Sequence, residues 1–319
     1  MDEMKKLRMA VIGIGFWGKN HVRVLSEIPE VELVAVCDID RQRADLIAKK
    51  YGLKSYDKSI EMYGKEDLDA VTICVWSSKL AEEAIKALKM GKHVLVEKPM
   101  ASSVKEAQRI LKIAEAENLK LQVGFIERFN PGVKRVKEAI DKGLIGSLVS
   151  ATAKRVSRWP QRIGDVGVIK DTAIHDIDIV RFLFSEDPVS VYARAGSLQH
   201  ERFEDYAQIM LAFPYGKSAF LESNWLTPYK IRKLTITGSE AIINLDYITQ
   251  EVSIETSGQT VTPRFEWEEP LKLELQHFVD CVLNNKEPMV SGTDGVKALK
   301  IAEAALKSAA KGCVVKIEK

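Results

Sequence analysis

Five short apolar runs punctuate the first 124 residues: "RMAVIGIG", "VELVAVCD", "LDAVTICVW", "KHVLVEKP" and "KLQVGF". Each of the first four is followed by a stretch with helical spacing, such as "WGKNHVRVLSEI" after the first and "RQRADLIAKKYG" after the second. A strand that is apolar on both of its faces must be covered on both. Helices alternating with such strands supply that cover, so this part of the chain is limited to a parallel sheet between two helical layers.

Beyond about residue 124 the rhythm changes. A helix, "NPGVKRVKEAIDKG", leads into longer strand candidates: "SLVSATAKRVS", "VSVYARAGSL", "YAQIMLAF", "SAFLESNW", "KLTITGS", "AIINLDY" and "EVSIETSGQTVTPRFEW". Tight reversals at "PYGK" and "SGQT" join neighbours. The pattern predicts an antiparallel sheet with a helix over 171–184 packed on it, then two closing helices. The expected fold class is α/β, with a doubly wound parallel sheet at the N-terminus and an α+β domain holding a large, open, mostly antiparallel sheet. The expected domains are 1–123 and 124–319.

Composition excludes several functions. A formal net charge of +2 gives no electrostatic footprint for nucleic acid. No apolar run reaches the roughly 18 residues needed to span a membrane. The start, "MDEMKKLRMAVIGIGFWG", has too short an apolar part and no small-residue cleavage site, so a signal peptide is not expected. The four cysteines, at 37, 74, 281 and 313, include no CxxC pair and read as reduced thiols, consistent with the cytoplasm.

"GIGFWG" spaces Gly13, Gly15 and Gly18 as GxGxxG between a strand and a helix, with Asp38 closing the next strand. Gly13 permits the tight turn, Gly15 admits a pyrophosphate close to the backbone, and Gly18 lets helix and strand approach. The diphosphate would lie on free N–H groups at the helix N-terminus. Phe16 and Trp17 complete the loop and belong to the expected cofactor-binding set with Asp38, Glu97 and Lys98. Asp38 suits the ribose hydroxyls of NAD and repels a 2′-phosphate, although Arg41 and Arg43 soften that repulsion. The expected cofactor is NAD, with NADP not excluded.

Two further segments bear chemistry. "HVLVEKPM" places Glu97, Lys98 and Pro99 at the carboxyl end of a parallel strand, the edge that faces ligands in open α/β sheets. "KDTAIHDIDIV" sets His175 four residues after Asp171 and three before Asp178, among apolar neighbours. That arrangement suits a metal site, a general base with an orienting acid, or a buried ion pair. No second histidine lies at ligand spacing, since His21, His93, His200 and His277 are scattered, so no metal is expected.

Taken in order, "GIGFWG", "GKHVLVEKP", "GFIERFNP" and "GDVGVIKDTAIHDIDIVRFL" resemble the Gfo/Idh/MocA oxidoreductases over essentially the whole chain. The resemblance implies a Rossmann domain followed by an α/β domain with a large open sheet. It places the family's catalytic lysine on Lys98 and its aspartate and histidine on Asp171 and His175, with Glu97 and Lys98 also near the cofactor. The implied reaction oxidises a secondary alcohol on a sugar or cyclitol, or runs in reverse. His175 is the expected base, oriented by Asp171, with Lys98 on the same oxygen; Lys98 as the base is the alternative. Trp76 and Leu80 stand where the family commonly has proline and histidine.

Arg128 in "GFIERFNP" is implied to face the substrate, while Arg155, Arg158 and Arg162 in "AKRVSRWPQRIGDVGV" surround Trp159. Guanidinium groups match phosphate oxygens, and an indole stacks on a base or sugar. Both segments are similar to those of family members that oxidise UDP-N-acetylglucosamine at carbon 3. The expected substrate is therefore a nucleotide sugar, held by Lys98, Arg128, Arg158, Arg162, Asp171 and His175. A free sugar or inositol, and a nucleotide-sensing regulator without turnover, are the alternatives. In "YAQIMLAF" the face of Tyr206, Gln208, Met210 and Ala212 is semi-apolar, which predicts a homodimer or homotetramer through the C-terminal sheet.

Overall fold

The computed structural model describes residues 6–160 and 164–318. The chain divides into two compact units, one of Met1–Phe125 with Leu271–Val296 and one of Ile126–Pro270 with Lys297–Lys319.

The first unit is built on a six-stranded sheet: β1 (Leu7–Ile12), β2 (Val31–Cys37), β3 (Lys54–Tyr56), β4 (Ala70–Ile73), β5 (His93–Glu97) and β6 (Leu121–Gly124). The strand order is β3-β2-β1-β4-β5-β6, with every pair parallel. This is a doubly wound sheet whose order reverses between β1 and β4, where such folds bind ligands. The connecting helices are α1 (Phe16–Glu27), α2 (Arg41–Tyr51), α3 (Ser59–Lys65), α4 (Ser77–Lys89) and α5 (Val104–Ala116). Their ends follow local chemistry. Asp40 caps α2 by accepting from the Arg43 amide, and Gly52 closes it in the left-handed region. Ser103 and Glu106 form a reciprocal capping box on α5. The three-residue edge strand β3 is not anticipated above, because Lys54, Ser55 and Tyr56 make no apolar run.

A later part of the chain returns to this unit. Ser291 bridges Gln122 of β6 in antiparallel fashion, and the Val123 amide donates to the Val290 carbonyl. A Cβ on Gly295 would meet the Met100 sulfur at 2.4 Å, and one on Gly292 would meet Leu121 at 2.6 Å, so these glycines let the backbone lie against the sheet. Helix α8 (Pro270–Leu283) and the start of α9 (Gly292–Lys311) thus pack with strands far away in sequence. A reading in chain order leaves that segment in the second domain, because neither helix carries a local sign of its partner.

The second unit holds a nine-stranded sheet. Its strands are β7 (Leu148–Arg158), β8 (Ser190–Gly196), β9 (Tyr206–Ala212), β10 (Ser218–Asn224), β11 (Leu226–Gly238), β12 (Ile242–Asp246), β13 (Val252–Glu255), β14 (Thr260–Val261) and β15 (Val315–Lys316). The order is β14-β13-β12-β11-β7-β10-β9-β8-β15, antiparallel except for β10 with β7. One face packs on α6 (Pro131–Asp141) and α7 (Ile174–Phe184). The alternation expected for β9 holds: Ala207, Ile209 and Leu211 are buried while Gln208 and Met210 are exposed. On the outer face Tyr192, Met210 and Phe220 stand in one cross-strand row, all exposed. No helix among the described residues is long and apolar enough to cross a membrane.

Candidate active site

The loop after β1 is shaped by what its glycines omit. Gly13 has φ +86°, and a Cβ there would lie 2.7 Å from the Cys74 and Val75 backbone at the end of β4. A Cβ on Gly18 would lie 1.8 Å from the Gly13 carbonyl oxygen, so only glycine lets α1 close on the loop. At Gly15 nothing lies within 4 Å, which leaves open space beside the backbone. Gly15 caps α1 with no side-chain acceptor, and the first turn of α1 has no acid. Free amide donors, the positive end of the helix dipole and open space together fit a dinucleotide diphosphate. Phe16 is exposed and Trp17 meets it edge-on, with ring centroids 5.8 Å apart.

Asp38 is buried at the end of β2 and ties down the same loop. It accepts from the Ile14 amide at 2.6 Å and the Asp40 amide at 2.9 Å, and Arg43 lies 3.4 Å from both carboxylate oxygens. It is therefore an acceptor fixed in place, as a ribose diol requires. At the end of β5, Glu97 accepts from His21, Lys98 is 9 % exposed, and the Lys98–Pro99 peptide is cis. Leu80 packs inside α4, whereas Trp76 stands exposed at its N-terminus.

In the second unit the helix expected over 171–184 begins differently. Residues Ile169–Ala173 form a wide π-type turn, and α7 follows directly. Such turns recur at functional sites, since they re-aim side chains relative to an α-helix. Glu204 anchors the start: its carboxylate accepts from the Ile169 amide at 3.0 Å, and its carbonyl accepts from Val168. A Cβ on Gly167 would lie 2.1 Å from that carboxylate. Burial raises the Glu204 carboxyl above its ordinary range, against the opposing pull of the backbone donors.

Asp171 is buried within the wide turn, and His175 lies at the beginning of α7. Next to Asp171, the Thr172 hydroxyl donates to its carboxylate at 3.2 Å and accepts from the Trp225 indole at 2.9 Å. Trp159 meets Trp225 edge-on at 5.3 Å and tilts over His200 at 4.9 Å, so an aromatic wall stands beside the turn. The arrangement offers a carboxylate held in place, an imidazole one turn on, and ring faces suited to a polyol.

Two of the expected arginines, Arg128 and Arg155, turn inward. Arg128 makes a bidentate pair with Asp178 at 2.7 Å for each contact, with its guanidinium over the Phe182 ring. Arg155 pairs in the same way with Asp176, at 3.0 and 2.9 Å, and donates to Glu127 at 2.7 Å. These ions are buried and neutralise one another, so Arg128 and Arg155 do not stand open to a diphosphate. The exposed Arg158 donates to the Pro228 carbonyl at 2.8 Å. Arg162 lies outside the described residues. Burial alone would raise the Glu127 carboxyl, but Arg155 and Arg232 hold it below the usual carboxylate range. Asp178 thus serves a contact between α7 and the Ile126–Phe129 turn. Asp176 and Glu127 carry the rest of the network; an acid among the apolar residues of "HDIDIV" is the signal that the sequence offers for it.

The remaining histidines have local work. His93 accepts from the Lys120 amide, His277 from the Met289 amide, and His200 from the amides of Arg202 and Phe203.

Comparison with known proteins agrees with this architecture. Residues 7–125 match the model of the oxidoreductase family with an NAD-binding Rossmann fold, and residues 133–244 match the GFO/IDH/MocA C-terminal domain. An inositol 2-dehydrogenase of Rhizobium meliloti is 31% identical, the match covering 95% of this chain and 97% of that protein. A scyllo-inositol 2-dehydrogenase (NAD(+)) of Bacillus subtilis is 29% identical, over 98% and 97% respectively. The structure of a UDP-N-acetylglucosamine 3-dehydrogenase of Acidithiobacillus ferrooxidans superposes with a TM-score of 0.87 at 23% identity, covering 96% of this chain and 98% of that one; it shares the fold. With two family domains matched in order and a full-length relative above 30% identity, the chain belongs to the Gfo/Idh/MocA family of NAD-binding oxidoreductases.

Proposed function

We propose that this protein is an NAD-dependent dehydrogenase that oxidises a secondary alcohol of a cyclitol or free sugar, or reduces the corresponding ketone. The observation that carries the reading is Asp171 held in a wide turn with His175 on the next turn of helix, in a chain that resembles inositol 2-dehydrogenases from end to end. The nicotinamide, when bound, supplies the hydride acceptor. His175 takes the hydroxyl proton, as an imidazole does near neutral pH. Asp171 holds that imidazole and stabilises its charged form. Lys98 donates to the alcohol oxygen and stabilises the developing alkoxide. Asp38 favours NAD over NADP, because a carboxylate already bound to the Ile14 amide repels a 2′-phosphate.

A cyclitol or free sugar is preferred to a nucleotide sugar because the arginine argument has lost two of its members to internal ion pairs. The nucleotide-sugar reading keeps one specific support: Arg158 is exposed, next to a Trp159 that already stacks on His200. The test follows reduced-nicotinamide absorbance with NAD or NADP against myo-inositol, scyllo-inositol, glucose and UDP-N-acetylglucosamine, with Lys98→Met as control. A signal with an inositol or glucose, lost in the variant, is the expected result. A signal with the nucleotide sugar alone would overturn the substrate class. Tight NAD binding without turnover on a wider polyol panel would favour a regulator.

The outer sheet face is the proposed subunit contact, giving a homodimer or homotetramer. The exposed row of Tyr192, Met210 and Phe220 supports this, since a solvated face is normally more polar. Light scattering on the wild type and on Met210→Glu tests it: a monomeric wild type would refute the contact.

A further inference from the structure

Glu97 has more support than the end of a strand requires. His21, on α1 and wholly buried, places its Nε2 3.2 Å from Glu97 Oε1. Glu97 lies opposite Gly124 in the β5–β6 register. A Cβ on Gly124 would come within 3.0 Å of the carboxyl carbon and 3.1 Å of both oxygens, so the missing side chain makes room for the carboxylate. A helix, a strand and a neighbouring glycine therefore fix one side chain. Only one of its oxygens is engaged, for Oε2 has no hydrogen-bond partner among the described residues. The side chain is 12% exposed, so that oxygen is not sealed in.

The surroundings make the charge matter. Burial first, then the carboxylates of Glu97 and Glu274, push the Cys74 thiol well above its ordinary range. The Glu97 carboxylate is thus one of two that act on the thiol at the end of β4. It lies at the ligand-facing edge of the sheet. Asp38, just past the end of β2, marks the adenosine side of the reversal point, and the cradle at Gly13–Gly18 marks the diphosphate. The other half of a dinucleotide then extends over β4 and β5.

Resting on the dinucleotide-binding reading above, we propose that His21 is a positioning residue that aims Glu97 at the nicotinamide half of the cofactor, and that the aimed carboxylate biases the site toward the oxidised form. The oxidised ring is a cation and the reduced ring is neutral. A fixed carboxylate in a half-buried setting stabilises the first and not the second. His21 donates through Nε2, which holds Glu97 without quenching its second oxygen.

The test is calorimetric titration of the nucleotide-free, full-length protein with NAD+ and, separately, NADH. Wild type, Glu97→Gln, His21→Leu and His21→Asn are compared. In Glu97→Gln the preference for NAD+ over NADH is expected to fall roughly tenfold, as removal of a charge pair at several ångströms predicts; His21→Leu, which releases the carboxylate without removing its charge, is expected to lower the preference in part. His21→Asn, which keeps a donor, is expected to restore most of it. A purely structural role would weaken both nucleotides alike and lower the melting temperature, leaving the ratio unchanged. An unchanged ratio in Glu97→Gln with NADH still bound overturns the proposal, even if His21→Leu fails to fold. Failure of the wild type to bind either nucleotide would instead overturn the cofactor reading on which the proposal depends.

Discussion

The two units build their functional regions from different materials. In the first, the cradle is backbone: three glycines, the free end of a helix, and one carboxylate tied to a loop amide. In the second, the corresponding region is made of side chains held by other side chains, with Asp171 and His175 beside the Arg155–Asp176–Glu127 network. A backbone cradle tolerates almost no added atoms but needs little electrostatic balance. A side-chain site on a buried helix needs every charge matched, because an unpaired ion there costs several kcal/mol.

The largest expected effects separate chemistry from binding. His175→Gln and Lys98→Met should each lower turnover by about 10²- to 10⁴-fold. NAD affinity, followed by calorimetry, should stay within a few-fold of wild type for His175→Gln; a comparable loss of affinity would erase the division of labour. Next is the charge balance of the second unit. Arg155→Met should cost about 3–5 kcal/mol in urea unfolding, because Glu127 and Asp176 are left buried without their cation. Adding Glu127→Gln and Asp176→Asn should recover part of that loss. If Arg155→Met alone were neutral, the network would be dispensable.

The cradle gives a smaller and opposite pattern. Gly18→Ala should destabilise by about 1–3 kcal/mol, since its Cβ meets backbone that cannot swing aside. Gly15→Ala, facing open space, should leave the melting temperature nearly unchanged and weaken NAD instead. Equal melting temperatures for the two variants would contradict the geometry. Acid adds a milder test. The Glu127 carboxyl is held below its ordinary 4.5, so it stays ionised in the fold where an unfolded glutamate takes a proton. Its contribution to stability is complete above about pH 4.5 and is lost as pH falls below that value through the folded pKa. Glu127→Gln should flatten that part of the stability profile. The smallest effect is at Arg158. Arg158→Ala should change stability by no more than about 0.5 kcal/mol, as an exposed residue does. A large loss of UDP-N-acetylglucosamine affinity in the same variant would revive the nucleotide-sugar reading.

The legibility of the two units differs for the same reason. Gly13, Gly15, Gly18 and Asp38 are readable because a backbone cradle demands fixed residue types at fixed spacing. The positions of Lys98, Asp171 and His175 are likewise visible as motifs. Arg128 and Arg155 mislead, since nothing local in "FIERFNP" or "AKRVSRWP" says that their guanidinium groups turn inward. Their partners, Asp178 and Asp176, lie 50 and 21 residues away in the chain. The edge strand β3 escapes notice because three polar and aromatic residues carry no period.

By itself the sequence determined the two sheets, the change from parallel to antiparallel pairing and the dinucleotide cradle, and it marked Lys98, Asp171 and His175 as the residues proposed for the chemistry. All of these depend on short-range patterns: a period of two or of 3.6, a glycine where a Cβ cannot fit, a carboxylate at a strand end. Only the tertiary structure decided that residues 271–296 return to the first sheet, that Asp171 sits in a wide turn seated by Glu204, and that Arg128 and Arg155 are spent on internal ion pairs. Those outcomes depend on which distant groups meet once the chain is compact. A buried charge takes the partner that the fold brings to it, whatever its neighbours in sequence.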